Sequence, residues 1–308
     1  MSLSQEVKII LEDIRKVKIQ GARNIAKAVL NAIKLQAEKT KDKNQLIKDI
    51  AEIRNFLLST RKTEPMAKNL IEVCTRHLMS YSFFAEKEDL EKFLTDVDKI
   101  ISDLDNYYKK MLEYGAKIIE DGSMVITICH SSSVTGVLKK AKDMGKEIKV
   151  ISSETRPLFQ GRITSKELAS YGIKVTHIID SEVAVFIKKA DIALVGADAI
   201  DAEGNLYNKV GSKMLAEMCM IYDVPFYSVA ELLKFDPQTL FGYLEPIEYR
   251  DSYEIWENHP KEIEVINPAF DKVSSKFIKS YITEEGLILP NEIKKAFEKK
   301  YKELLKQH

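Results

Sequence analysis

Cysteine is scarce and scattered, with three among 308 residues at Cys74, Cys129 and Cys219. No CxxC pair and no cluster at metal-ligand spacing occurs, which argues against a disulfide framework and against structural zinc, and no metal site is expected. Excess charge is missing too. Lys plus Arg and Asp plus Glu each number 47, for a formal net charge of zero, which speaks against a nucleic-acid partner held by global positive charge. Any anion site must be local. No apolar run approaches the ~18 residues of a membrane span. The start carries Glu6, Lys8, Glu12, Asp13 and Arg15 among its apolar positions, so it lacks the apolar core of a signal peptide. The expectation is a soluble, cytoplasmic protein with no membrane partner. The single Trp256 reads as a packing residue, and His77, His177 and His259 are isolated.

What is present falls into two textures. A chain of this length exceeds the usual single-domain size and can bury a substantial core. Up to about Gly115 apolar residues recur at three- and four-residue steps, as in Ile10, Ile14, Val17 and Ile25, Val29, Ile33, which predicts helix after helix. Leu90 to Ile119 predicts one long amphipathic helix with Leu94, Val97, Ile101, Leu104, Tyr108 and Met111 inward. Beyond Gly115 come the short β-branched runs MVITI, EIKVI, KVTHII, IALVGA and PFYSVA, with helices predicted between them. Such alternation implies a mostly parallel sheet covered on both faces. The predicted class is therefore α/β, an all-helical domain over 1–115 followed by a Rossmann-like domain over 116–308. The segment Asn291 to His308 reads as a basic amphipathic helix.

Two apolar runs end in reactive side chains. Met124 to Ile128 leads to Cys129 and then Ser131, Ser132 and Ser133, and Ile192 to Ala197 leads to Asp198. Ligands of open parallel sheets bind outside the carboxyl ends of the strands, so this thiol and carboxylate are candidates for one active site. Amides and hydroxyls at the helix start, Ser131 among them, suit a phosphate or sugar oxygen, and the same potential would lower the thiol pKa of Cys129. Read alone, a buried cysteine beside a serine cap is the commoner situation. In Ser153 to Arg162, Arg156 precedes Pro157 in extended geometry and suits bidentate phosphate recognition; the alternative is a surface pair with Glu154. Gln160 and Gly161 would admit a polyhydroxylated ligand. Gly196 and Ala197 leave room beside Asp198, whose desolvated carboxyl would both donate and accept near neutrality; a helix or turn cap is the alternative. Asp201 to Gly204 reads as a turn, and Asn208 and Lys209 lie near the next helix start, where an anion is favoured. Gly211 to Lys213 lacks the upstream glycine of a Walker A loop. Between Phe226 and Tyr253, Leu232, Leu233, Phe235, Leu240, Phe241, Tyr243 and Leu244 exceed what one short helix and strand bury, which marks a contact surface.

ICHSSSV, SSETRPLFQGRIT and VGADAIDAEGNLYNKVGS occur in order with IQGARNIA, STRKTEP, VAELLKF, INPAFD and ITEEGLILP. Over nearly the whole chain they resemble the family that unites the alpha, beta and delta subunits of translation initiation factor 2B with two sugar-phosphate isomerases. The resemblance implies a cofactor-free aldose-ketose isomerase of archaeal type that converts ribose 1,5-bisphosphate to ribulose 1,5-bisphosphate in nucleotide salvage. Cys129 and Asp198 stand where the isomerases keep a cysteine and the aspartate of a GAD motif, which implies that both are catalytic. Asp198 would move protons at the ring and C2 oxygens, and Cys129 would handle the hydrogen at C2 or protonate C1. The phosphates would be held by Lys209, Lys234, Arg156, Arg61 and Arg23 with the Gly21–Ala22 loop, and the hydroxyls by Asn208 and Gln160. The resemblance also implies a homodimer paired through the α/β domains, with three dimers forming a hexamer. Two departures stand out: Gln20 precedes Gly21 and Ala22 where the isomerases carry Arg, as in the regulatory subunits, and DKVSSKF from Asp271 lacks the usual proline. The alternatives are an alpha-type regulatory subunit that binds a sugar phosphate or nucleotide and a protein partner, and methylthioribose-1-phosphate isomerase, which holds an apolar group where a second phosphate would need cations.

Overall fold

The computed structural model describes residues 3–40, 42–81 and 87–305. The chain divides into two compact units, one running to Asn106 and taking in the segment from Glu298, the other Tyr107–Phe297. The first is built on α1 (Gln5–Arg15), α2 (Ala22–Lys39), α3 (Lys43–Thr60), α4 (Pro65–Ser80) and the first part of α5 (Lys87–Ile118). Side-chain oxygens start two of these helices: Ser4 accepts from the Val7 amide, and Asp42 from the amides of Asn44 and Gln45, satisfying donors the helix cannot. The inner face of α1 is Val7, Leu11 and Ile14. The stripe expected there is thus displaced, since Ile10 is half-buried and Val17 lies past the helix end at φ 60°. Ile25, Val29 and Ile33 of α2 are buried as their spacing predicts. On α5 Val97, Leu104 and Met111 are buried as expected, together with Phe93 and Ala116. Leu94, Ile101 and Tyr108 of the expected stripe are only half-buried, so the helical stripe is shifted toward one edge opposite the charged face.

The second unit alternates strand and helix. In order come β1 (Met124–Thr127), α6 (Ser132–Asp143), β2 (Lys149–Ser153), α7 (Gln160–Ser170), β3 (Lys174–Ile178), helical turns from Asp180 to Lys189 that contain α8 (Val183–Phe186), and β4 (Ile192–Val195). Then follow β5 (Ala199–Ile200), β6 (Leu206–Lys209), α9 (Ser212–Ile221), β7 (Phe226–Val229), β8 (Phe270–Val273), β9 (Ser280–Thr283), β10 (Gly286–Ile288) and the first part of α10 (Ile293–Lys300). The main sheet has seven strands in the order β10-β9-β7-β4-β1-β2-β3. All neighbours run parallel except β10, which is antiparallel to β9. Winding out from β1 through β2 to β3 and then returning to β4 reverses the strand order between β1 and β4. In open α/β sheets the crevice at the carboxyl ends of such a pair binds ligand.

One sheet face buries Val125, Val150, Leu194, Val229 and Ile282 against Val134, Val137, Leu138 and Ala141 of α6 and Leu168 of α7. Alternate residues on each strand supply this face, as the strand period requires. Two features depart from the sequence expectations. A second, antiparallel sheet of β5, β6 and β8 follows Asp198, so Asn208 and Lys209 lie near the start of α9 as expected but at the end of a short strand that the sequence did not announce. The expected helix from Asn291 is broken: a 3-10 turn at Pro290–Glu292 leads into α10, and a second covers Lys302–Leu305, while residues 306–308 of that expectation lie outside those described. No described helix is long and apolar enough to cross a membrane.

Candidate active site

Cys129 and Asp198 leave the carboxyl ends of β1 and β4, the neighbouring strands between which the order reverses. Both are half-buried. Gly196 lies one residue beyond β4, where a β-carbon would come within 2.7 Å of the Ser131 hydroxyl and 3.9 Å of Asn208 Oδ1. The missing side chain is therefore what lets the serine of the first loop, the strand end of the second and Asn208 of the third converge. Ser131 caps α6, accepting from the Val134 amide at 3.4 Å, and Asn208 donates to Ser212 Oγ at 2.8 Å.

The thiol is not activated by its helix start. Burial pushes Cys129 up to about 11; Lys209 pulls it down, and Asp198 and Asp180 push it up further. The expected lowering by the α6 terminus fails because desolvation of the thiolate outweighs the local positive potential. Cys129 is accordingly a thiol at neutral pH. It also sits at φ 63°, a left-handed backbone that costs a non-glycine residue on the order of 1–3 kcal/mol and collects at functional sites.

Of the residues predicted from sequence, the α/β unit gathers Cys129, Ser131, Asp198, Asn208 and Lys209 around this switch point through the contacts and charges just described. Lys209 Nζ also lies 5.5 Å from the Phe270 ring centre. Lys234 is buried, its amine donating to the Ala197 carbonyl at 2.7 Å with Glu231 at 3.7 Å; it anchors the backbone just before Asp198. Arg156 is exposed. It donates to the Ile255 carbonyl at 2.9 Å, and Glu154 is taken by Arg162 instead, at 2.9 Å through Nε. Gln160 keeps a buried Oε1 without a hydrogen-bond partner, an acceptor suited to a hydroxyl. Gly161 is required by the fold itself: a β-carbon there would stand 1.6 Å from the Ser153 carbonyl oxygen, so the glycine admits β2's own backbone. Gly21, Ala22, Arg23 and Arg61 lie in the helical unit. There Arg23 pairs with Asp105, Arg61 donates to the Ile14 carbonyl at 3.4 Å, and Gln20 donates to the Val17 carbonyl at 2.7 Å.

Other sequence expectations are corrected or filled in by the fold. Trp256 is about half exposed rather than packed. Asp201 closes the Asp201–Asn205 turn by accepting from the amides of Glu203 and Asn205. The start of α9, expected to favour an external anion, is occupied by Asp271, which accepts from the Gly211 amide at 2.7 Å and the Lys213 amide at 3.1 Å. Burial raises the Asp271 pKa from 3.8 to about 6 despite these donors. The folded state then binds its proton more tightly than the unfolded chain, so this group's contribution to stability falls as pH rises between those two values. Thermal midpoints of wild type and Asp271→Asn measured from pH 4 to 7 should therefore diverge with pH, and a constant offset would exclude that linkage.

Sequence reading missed His130, Thr155, Thr164 and Asp180. Each is polar, but only the loops after β1, β2 and β3, along with α7, bring them together. Asp180 accepts from the amides of Thr155 and Arg156, both at 2.8 Å, and Thr155 in turn accepts from the Cys129 amide at 2.8 Å. A depression of about 490 Å³ in the helical unit is lined by Gln36, Thr40, Gln45 and Asp49 among others. The first three of these side chains all donate to the Asp49 carboxylate, so the cluster satisfies itself and serves structure. Among the described residues no group of His, Cys, Asp and Glu is arranged to hold a metal.

The chain is similar to known proteins over most of its length. The model of a family described as the Initiation factor 2 subunit family matches residues 18–290. A Pyrococcus furiosus protein named ribose 1,5-bisphosphate isomerase is 41% identical over 93% of this chain and 91% of its own length. A Heliobacterium modesticaldum protein named methylthioribose-1-phosphate isomerase is 31% identical over 92% of this chain and 87% of its own. The crystal structure of a Pyrococcus horikoshii translation initiation factor eIF-2B superposes with a TM-score of 0.79 at 28% identity, covering 94% of this chain and 98% of that one.

Proposed function

The chain belongs to the Initiation factor 2 subunit family, and we propose that within it this protein is an aldose-ketose isomerase that converts ribose 1,5-bisphosphate to ribulose 1,5-bisphosphate. The observation that carries the reading is the delivery of Cys129 and Asp198 to one switch point by adjacent strands, with Asp198 and Lys209 close enough to bias the thiol. The higher identity to the ribose 1,5-bisphosphate enzyme than to the methylthioribose one supports this substrate. Opening the ring of a 1-phosphorylated sugar puts a proton on the ring oxygen, and forming the ketone takes one from the C2 hydroxyl. Asp198 is assigned both transfers, which balance. The remaining change is movement of the C2 hydrogen to C1, assigned to Cys129 through its thiolate. Lys209 and Arg156 are assigned to phosphate, and Asn208, Gln160 and Ser131 to hydroxyl or phosphate oxygens. Lys234 holds the Asp198 loop in place. Incubating the purified protein with ribose 1,5-bisphosphate and assaying ribulose 1,5-bisphosphate tests the reading directly; no product would sink it.

Gln20 keeps a second reading in view, a regulatory subunit that binds a sugar phosphate or nucleotide without turning it over. Binding of ribose 1,5-bisphosphate without conversion would favour it. Residues 116–308 are proposed as the domain of catalysis and homodimerisation, with 1–115 as a helical domain. In the apolar stretch identified from sequence, Leu232, Leu233 and Phe235 are buried within the chain, while Phe241, Tyr243, Leu244, Tyr249 and Tyr253 remain exposed. Exposed apolar side chains concentrated in one stretch of chain support a contact between copies. Light scattering on dilute protein should give at least twice the 35.2 kDa of one chain; a concentration-independent monomer would exclude the homodimer.

A further inference from the structure

Neither backbone polar group of Cys129 is bonded by the sheet, because β1 ends at Thr127. Two threonine hydroxyls take them instead. The Cys129 amide donates to Thr155 Oγ1 at 2.8 Å, and Thr164 Oγ1 donates to the Cys129 carbonyl at 2.8 Å. Both threonines are nearly fully buried, and they come from opposite sides of one loop, Thr155 just after β2 and Thr164 within α7. Thr155 is itself at φ 61°, where a β-branched residue is a rare occupant. Asp180 holds it there by accepting from its amide and from the next one. Its hydroxyl hydrogen goes to the Ser153 carbonyl at 3.3 Å, leaving the oxygen free to accept from Cys129.

Thr164 is held in the same way. Its single hydroxyl hydrogen is spent on the Cys129 carbonyl, so its contact with His130 Nδ1 at 3.1 Å must run from an Nδ1–H to the threonine oxygen. Burial lowers the His130 pKa against the opposing charge of Glu167, which favours the neutral ring. The two oxygens that face Nδ1, Thr164 Oγ1 at 3.1 Å and Glu167 Oε2 at 3.8 Å, call for the tautomer with its hydrogen there. Each hydroxyl thus spends its single hydrogen on a backbone carbonyl and accepts through its oxygen, Thr164 from His130 and Thr155 from Cys129, with Ser153 Oγ a further neighbour of Thr155 Oγ1 at 3.4 Å. A left-handed cysteine persists only where its surroundings over-determine it. Here its two peptide groups are gripped from β2 and α7.

We propose that Thr155 and Thr164 are positioning residues that clamp Cys129 in its left-handed conformation and so aim its thiol, with Asp180 and His130 fixing the two hydroxyls. The kinetic part rests on the isomerase reading; the conformational part does not. The test compares Thr155→Val and Thr164→Val, which keep shape and lose the hydroxyl, with Thr155→Ser and Thr164→Ser, which keep it. With ribose 1,5-bisphosphate, each valine variant should lose roughly tenfold or more in kcat with KM changed by less than about threefold, as expected when a reacting group is misaimed and binding is kept. Each serine variant should stay near wild type.

The second readout is the rate of iodoacetamide alkylation at Cys129, followed by peptide mass so that Cys74 and Cys219 do not intrude. Freed from the clamp, the thiol should alkylate about threefold faster or more in the valine variants, because a less buried thiol ionises more readily. An unchanged alkylation rate overturns the clamp whatever happens to kcat. Altered alkylation with wild-type kcat also overturns it, as do serine variants as damaged as the valine ones. If the wild-type protein converts no substrate, the isomerase reading fails and alkylation alone decides the clamp. The two threonines are tested separately, so a variant that does not fold leaves the other to give the answer.

Discussion

Replacing Cys129 by serine is expected to lower kcat by roughly 10² or more with the fold intact, the usual cost of removing an acid or base from a proton transfer. The thiol is pushed up to about 11 by burial, opposed by Lys209 and aided by Asp198 and Asp180, and a serine hydroxyl ionises far less readily still. If the thiolate carries the C2 hydrogen to C1, the wild-type rate should rise with pH through the alkaline range toward that value, since each unit increases the thiolate fraction about tenfold. Solvent deuterium should then appear at C1 of the product. Cys129→Ser with near-normal kcat removes the assignment, and a flat alkaline profile with no deuterium at C1 would mean that hydrogen passes directly between the carbons.

Asp198→Asn is expected to reduce kcat by roughly 10² or more as well, because the amide keeps the shape of the carboxylate but can neither give nor take the proton. KM should change little if Asp198 acts on the ring and C2 oxygens rather than on phosphate. The backbone around it should be preserved: its amide donates to the Tyr207 carbonyl at 2.9 Å, and the preceding carbonyl is held by Lys234. Thermal midpoints within error of wild type alongside the lost turnover would separate a chemical role from a structural one. A variant that turns over normally would leave the carboxylate as the turn cap that its sequence position also allows.

The two-part organisation was legible in the chain because apolar periodicity is local. Ile25, Val29 and Ile33 announce a helix face, and IALVGA announces a buried strand, since the side-chain period decides which face meets the core. The short pieces were not. β5 spans Ala199–Ile200 alone, and β6 ends on the polar pair Asn208 and Lys209, so neither carries enough residues to show a period. The inward face of α1 was misplaced because apolar residues occupy more than one side of it, and only packing selects Val7, Leu11 and Ile14. The C-terminal helix was drawn too long because nothing local marks the break that the fold makes at Tyr301.

The sequence by itself determined that Cys129 and Asp198 end buried strands and that small residues flank them, for strand termini and their neighbours are written in adjacent positions. Tertiary structure decided everything that depends on distance across the sheet. Strand order made β1 and β4 neighbours, and desolvation at their ends turned an expected reactive thiolate into a protonated thiol. It also gave Asp271 the helix start that looked open to a phosphate and Lys234 the Ala197 carbonyl. Thr155, Thr164, His130 and Asp180 acquire meaning only when three loops and the helix α7 close on one cysteine, because hydrogen bonds between residues 25 or more apart in the chain leave no period or motif in it.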